Sequence, residues 1–169
     1  MMYSTKKIGD KFEAWTAQLF QNHGYRVIER NLRIREKRRG RVVNDSEIDL
    51  LVQESLLPGL ITTRYAVECK YRDPDEGSVS RKEIADFGLK LSLKGSPTRE
   101  GFMATNTHYT PQARETVKRV NRRFRVHVRL YSRENLERLD YQRLSLRQKI
   151  RAKKGKRPSL EEQIRKTRI

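Results

Sequence analysis

Apolar positions fall into short blocks whose spacing differs from one block to the next. In residues 9–23, GDKFEAWTAQLFQNH, Phe12, Trp15, Thr16, Leu19 and Phe20 recur at three- and four-residue steps. That spacing predicts an amphipathic helix, and His23-Gly24 supplies its stop. YRVIERN (25–31) and EIDLLVQ (47–53) alternate and predict strands. The basic stretch between them, around Gly40, fits either a hairpin or a long loop. Leu57-Pro58-Gly59 marks a turn. A third strand, RYAVECKYR (64–72), follows, then the acidic loop DPDEG. Ser80 and Glu83 fit a capping box opening a helix with Ile84, Phe87 and Leu91 on one face. GFMATN (101–106) predicts a buried strand. Thr110-Pro111 supplies the cap and first residue of a helix carrying Ala113, Val117 and Val120. RVHVRLY (125–131) predicts the last strand, and Ser132 caps a helix through about Leu139. The order α-β-β-β-α-β-α-β-α is that of a mixed α/β domain, a hairpin-like early sheet followed by right-handed crossovers. This domain is expected over residues 1–144.

The third strand raises the chemical question. Side chains alternate across a strand, so Glu68 and Lys70 point the same way, about 6.5–7 Å apart. On the preceding strand Glu47, Asp49, Leu51 and Gln53 share one face, and Ile48, Leu50 and Val52 the other. If the two strands are neighbours, Asp49 approaches Glu68. Two carboxylates that close repel unless a cation lies between them. Mg2+ accepts one or two protein carboxylates and keeps waters for a phosphate. A lysine beside them can stabilise charge on an attacking water or a phosphate oxygen. Simpler readings exist: a solvent-facing ion pair for Glu68 and Lys70, a strand-end cap for Asp49. Glu13 suits the first turn of a helix through the dipole alone.

Composition narrows the partners. The 169 residues carry 39 Lys or Arg against 21 Asp or Glu, a formal net charge of +18. A polyanion is the usual reason to tolerate such self-repulsion, so nucleic acid comes first and an anionic membrane surface second. No run approaches a spanning helix, and the start has no apolar core of a secretory signal. The single cysteine, Cys69, allows no internal disulfide and no cysteine-rich zinc site, and points to the reducing cytoplasm. Cys69 is expected to be a core residue. His23, His108 and His127 lack ligand spacing; His108 lies in a loop after a strand. Asp73, Asp75 and Glu76 lack calcium-loop spacing and read as a solvated turn.

Asp49 followed by Glu68-Cys69-Lys70 resembles the signature of the PD-(D/E)XK restriction-endonuclease-like nuclease superfamily. GDKFEAW with Glu13 resembles its N-terminal helix. GFMATNTHYTPQARETV and VHVRLYSRENLERL are most similar to Mrr-type restriction endonuclease catalytic domains. The likeness covers about residues 9–140, and Ile48 departs from the pattern by standing where that superfamily often has proline. The resemblance implies a restriction-endonuclease-like mixed β-sheet flanked by helices, and a metal-dependent endonuclease cutting DNA. It implies Asp49 and Glu68 as metal ligands with the Cys69 backbone carbonyl. Glu13 would reach the metal directly or through a water, and Lys70 would orient or activate the nucleophilic water. The ion would be Mg2+, with Mn2+ as an alternative, and no small-molecule cofactor is expected. A homodimer suits cutting two strands. Glu47 is a second acid beside the site. The alternatives are a non-catalytic nucleic-acid-binding protein and, within the superfamily, a Holliday-junction resolvase or repair nuclease.

Three basic clusters are candidates for phosphate contacts, which give affinity and salt dependence rather than sequence choice. They are Lys37, Arg38, Arg39 and Arg41; then Arg119, Arg122, Arg123 and Arg125; then Lys149, Arg151, Lys153, Lys154, Lys156 and Arg157. The last belongs to residues 145–169, where ten Lys or Arg stand against two Glu. That composition predicts a basic C-terminal arm, partly helical and poorly packed in isolation.

Overall fold

The computed structural model describes residues 5–39, 41–57, 61–73, 77–142 and 158–168. Its elements are α1 (Thr5–Asn22), β1 (Arg26–Arg38), β2 (Arg41–Leu57), β3 (Ile61–Lys70), α2 (Arg81–Ser92), β4 (Glu100–Thr105), α3 (Pro111–Phe124), β5 (His127–Tyr131), α4 (Arg133–Gln142) and α5 (Leu160–Lys166). The five strands form one sheet in chain order. β1, β2 and β3 pair antiparallel, whereas β3, β4 and β5 run parallel. Each parallel step is a helical crossover, which is what the alternation of strand and helix patterns beyond Lys70 requires. No helix among the described residues is long and apolar enough to cross a membrane.

Two apolar layers cover the sheet. Phe12, Trp15, Leu19 and Phe20 of α1 pack with Leu50, Val52, Val67, Phe102 and Leu136 on one face. Ile84, Phe87 and Leu91 of α2 pack with Ile48, Ala66, Met103, Ala113 and Val120 on the other. Helix α1 begins at Thr5 rather than residue 9, because Ile8 extends its buried stripe. It stops where Gly24 takes φ +87° and the Tyr25 N–H bonds Phe20 O, a conformation that costs glycine nothing. Ser80 and Glu83 form the expected capping box, and Thr110 caps α3 by accepting from the Ala113 N–H.

The basic stretch around Gly40 is a hairpin rather than a loop: β1 and β2 pair out to Arg38–Arg41. The alternation expected along β2 breaks at Asp49. Ile48 packs under α2, whereas Leu50 and Val52 pack under α1. The break lies between the pairs Arg30–Leu50 and Leu32–Ile48, where Asn31 takes φ +52°. Asparagine tolerates this left-handed conformation better than most residues. The hairpin therefore turns over at this point, and the pairing of β2 with β3 ends at Leu50–Val67.

The end of the basic arm is helical. Ser159 and Glu162 form a second capping box, and α5 docks Leu160 and Ile164 into the layer under α1. Arg133 ties it to α4 through Glu161 at 2.7 Å. Two apolar residues four apart suffice, at about 1.5–3 kcal/mol each when fully buried, and an average over a basic segment hides them. Lys149, Arg151, Lys153, Lys154, Lys156 and Arg157 lie outside the described residues.

Candidate active site

The chemistry gathers where β2 leaves β3. Beyond Leu50 the strands no longer pair, and the Asp49 side chain takes over: its Oδ2 accepts the Cys69 N–H at 2.6 Å. One carboxylate is thereby fixed to the peptide unit between Glu68 and Lys70. Glu68 is 3% exposed, on the α2 side of the sheet. Lys70 Nζ donates to its Oε1 at 2.8 Å. The chain just past Lys70 is pinned by Asn106, whose side chain accepts from the Arg72 N–H and donates to the Arg72 carbonyl, both at 2.8 Å. Thr105 Oγ1 donates to the Lys70 carbonyl at 2.7 Å.

One participant was not legible in the sequence. Lys90, in the last turn of α2, donates to both Glu68 oxygens at 2.8 and 2.9 Å and to the Glu47 carbonyl at 2.7 Å. Glu83, seven residues earlier on the same helix face, pairs with Arg72. Two ionic rungs thus leave α2, one to Glu68 in β3 and one to Arg72 just past its end. The available signal was a pair of opposite charges at i and i+7 flanking the Ile84–Phe87–Leu91 stripe, a spacing common on solvated helices too.

The electrostatics record crowded acids. Asp49 is raised to about 6, by burial first and then by Glu68, against the Cys69 N–H, Lys70 and Lys90, which lower it. Burial raises Glu13 to about 7, with Asp49, Asp10, Glu47 and Glu68 adding to the rise. The α1 acid is therefore within electrostatic reach of the cluster. For Lys70, burial lowers the pKa, but Glu68 and Asp49 outweigh it and the net shift is upward. Burial pushes the Cys69 thiol well up, which suits its core position. Among the described residues no three metal-ligating side chains gather around one point. The two-carboxylate set of Asp49 and Glu68 remains as the candidate for a cation.

Other expected residues scatter. Glu47 is exposed, and its backbone rather than its carboxylate joins the site. His108 is exposed, and lines a cleft of about 340 Å³ with Arg72, Asn106, Arg114 and Arg133. Arg39 and Arg41 are exposed at the hairpin end, where Lys37 and Arg38 pair with Val42 and Arg41 through the backbone. Arg122 and Arg123 are exposed on α3.

Comparison with known proteins follows the same lines. No curated protein matches the chain. A crystal structure titled as a protein of unknown function, AF1548, superposes with a TM-score of 0.54 at 19% identity, over 73% of this chain and 57% of that one. That likeness shows the fold. The MspJI restriction endonuclease in complex with a 27-mer oligonucleotide superposes at 0.47 and 17% identity, over 83% of this chain and 28% of that one. The chain thus spans little more than half of the first and less than a third of the second. The Mrr catalytic family, described as restriction endonuclease, matches residues 6–139. With the mixed sheet flanked by helices and the acids at its fork, this match identifies the chain as a member of the Mrr-type restriction endonuclease catalytic family.

Proposed function

We propose that this chain is a divalent-metal-dependent endonuclease that hydrolyses phosphodiester bonds of DNA. The observation that carries the reading is the 2.6 Å bond from the Cys69 N–H to Asp49, which holds one acid against the unit joining Glu68 to Lys70. Asp49 and Glu68, with the backbone carbonyl of Cys69, would hold Mg2+, and Mn2+ is the alternative. Glu13 would approach directly or through a water. The donor set fits such an ion: hard oxygen ligands, one of them raised in pKa partly by its neighbour, a repulsion that a cation relieves. When bound, the ion supplies positive charge to the scissile phosphate and acidity to a water.

The chain's own groups do the rest. Lys70, kept protonated by Glu68 and Asp49, offers an ammonium to the attacking water or to a phosphate oxygen. Lys90 holds Glu68 and ties α2 to the strand end. A net charge of +18 supplies the attraction for DNA. Cutting both strands needs two sites, so a homodimer belongs to the proposal; sedimentation of the DNA complex tests it.

A non-catalytic nucleic-acid binder is the second reading, favoured by one observation: ammonium groups already occupy both Glu68 oxygens. Plasmid nicking across a Mg2+ titration separates the two. The nuclease reading expects metal-dependent nicking, lost in Lys70→Ala while binding persists. Binding without nicking at any metal concentration supports the binder instead. Linear duplex, branched DNA and single strands compared as substrates distinguish a restriction enzyme from a resolvase or repair nuclease.

A further inference from the structure

We propose that the groove between α2 and α3 is a second nucleic-acid site, shaped for an unpaired strand and separate from the acid–lysine cluster. The groove encloses about 370 Å³. Its rim carries Arg81 and Lys82 from the first turn of α2, and Arg119 and Arg123, one turn apart on α3. Its floor includes Ala85 and Phe124. All four cations are exposed, none forms an ion pair among the described residues, and no carboxylate lines the groove. Arg119 does no more than donate to Thr116 Oγ1 at 3.4 Å. The Arg123 guanidinium lies 5.6 Å from the centroid of the Phe124 ring.

The helices close against each other at Gly88, where an added Cβ would meet Val120 Cγ1 at 2.1 Å. The groove lies toward the start of α2; Arg81 is nine residues from Lys90, about 13 Å along the helix axis. It therefore does not belong to the catalytic cluster.

Charge complementarity selects a polyanion, and the apolar floor selects which kind. A duplex keeps its base faces inside the stack and presents phosphates, which would meet the cations and leave the floor uncovered. An unpaired strand presents both: phosphates for the rim, and an unstacked base for Phe124, where stacking adds to the ionic attraction.

The test uses the full chain in EDTA, so that no cleavage occurs and the nuclease reading is not at stake. Anisotropy of a labelled short oligothymidylate is followed across a salt series. Arg119→Ala with Arg123→Ala should weaken binding and make the slope of log K against log salt shallower by about 1.4, two contacts at about 0.7 each. Phe124→Leu should weaken binding about tenfold with the slope unchanged. Duplex of equal length should be indifferent to Phe124→Leu. The proposal is overturned if oligothymidylate ignores the arginine pair, which is on the surface and leaves the core intact. It is also overturned if Phe124→Leu, checked for an unchanged melting temperature, has no effect, or if polyglutamate of equal charge displaces the strand as well as oligothymidylate does.

Discussion

At the fork of β2 and β3, charges are sheltered and matched: Glu68 between two lysines, Asp49 on a backbone N–H. In the α2–α3 groove, charges stand in water and face no acid. Both regions are polar, yet they obey different energetics. Buried charges are costly unless paired, so each partner at the fork affects stability as well as chemistry. Exposed cations cost little to keep or to lose, and they act on affinity and its salt dependence. A substitution that moves melting temperature and activity together belongs to the first region. One that moves only binding belongs to the second.

The largest effect expected is on chemistry. Lys70→Ala or Asp49→Asn should lower metal-dependent plasmid nicking by at least about a hundredfold, the scale on which removal of one charge-stabilising donor acts. Retained nicking in both variants would remove the fork from the reaction and leave only its structural role.

Lys90→Met comes next. It keeps the length of the side chain but removes three donated bonds, leaving Glu68 with Lys70 alone. Denaturant unfolding in EDTA should show a loss of about 1–3 kcal/mol. Divalent metal should restore more stability to this variant than to the parent, because a cation then substitutes for the lost ammonium. An unchanged midpoint would mean that the α2 rung to Glu68 carries no net stability.

The pH dependence is smaller and has a definite sign. Asp49 rises from 3.8 to about 6 and Glu13 from 4.5 to about 7, so the fold favours their protonated forms. Their contribution is fully present below the unfolded values and is lost as pH rises through the folded ones. The metal-free melting temperature should therefore fall between about pH 4 and pH 7. Asp49→Asn should flatten that fall. Glu83 shifts the other way: burial raises it, but Ser80 and Arg72 outweigh that and lower it, so its stabilisation is lost only at more acidic pH. A melting temperature that climbs from pH 5 to 7 would contradict the crowding of acids at the fork.

The smallest effect is expected in the groove. Arg119→Ala with Arg123→Ala should change unfolding free energy by no more than about 0.5 kcal/mol, as solvated surface positions do. A large loss there would show that these cations hold the helices and are not held ready for a ligand.

The sequence by itself determined the order of elements, because apolar period and capping chemistry are local: the capping box at Ser80–Glu83 and the cap at Thr110 need only their own neighbours. It also determined that Glu68 and Lys70 share a face, since alternation along one strand is fixed by backbone geometry. The turning-over of the hairpin at Asn31 and Asp49 was decided by the tertiary structure. Alternation read along β2 alone puts Ile48 with Leu50, whereas the two layers of the sheet divide them. Lys90 was likewise beyond the sequence, because its value comes from a carboxylate 22 positions away. The docking of α5 was hidden for a similar reason: two apolar side chains among many cations mean little until α1 supplies the surface that buries them.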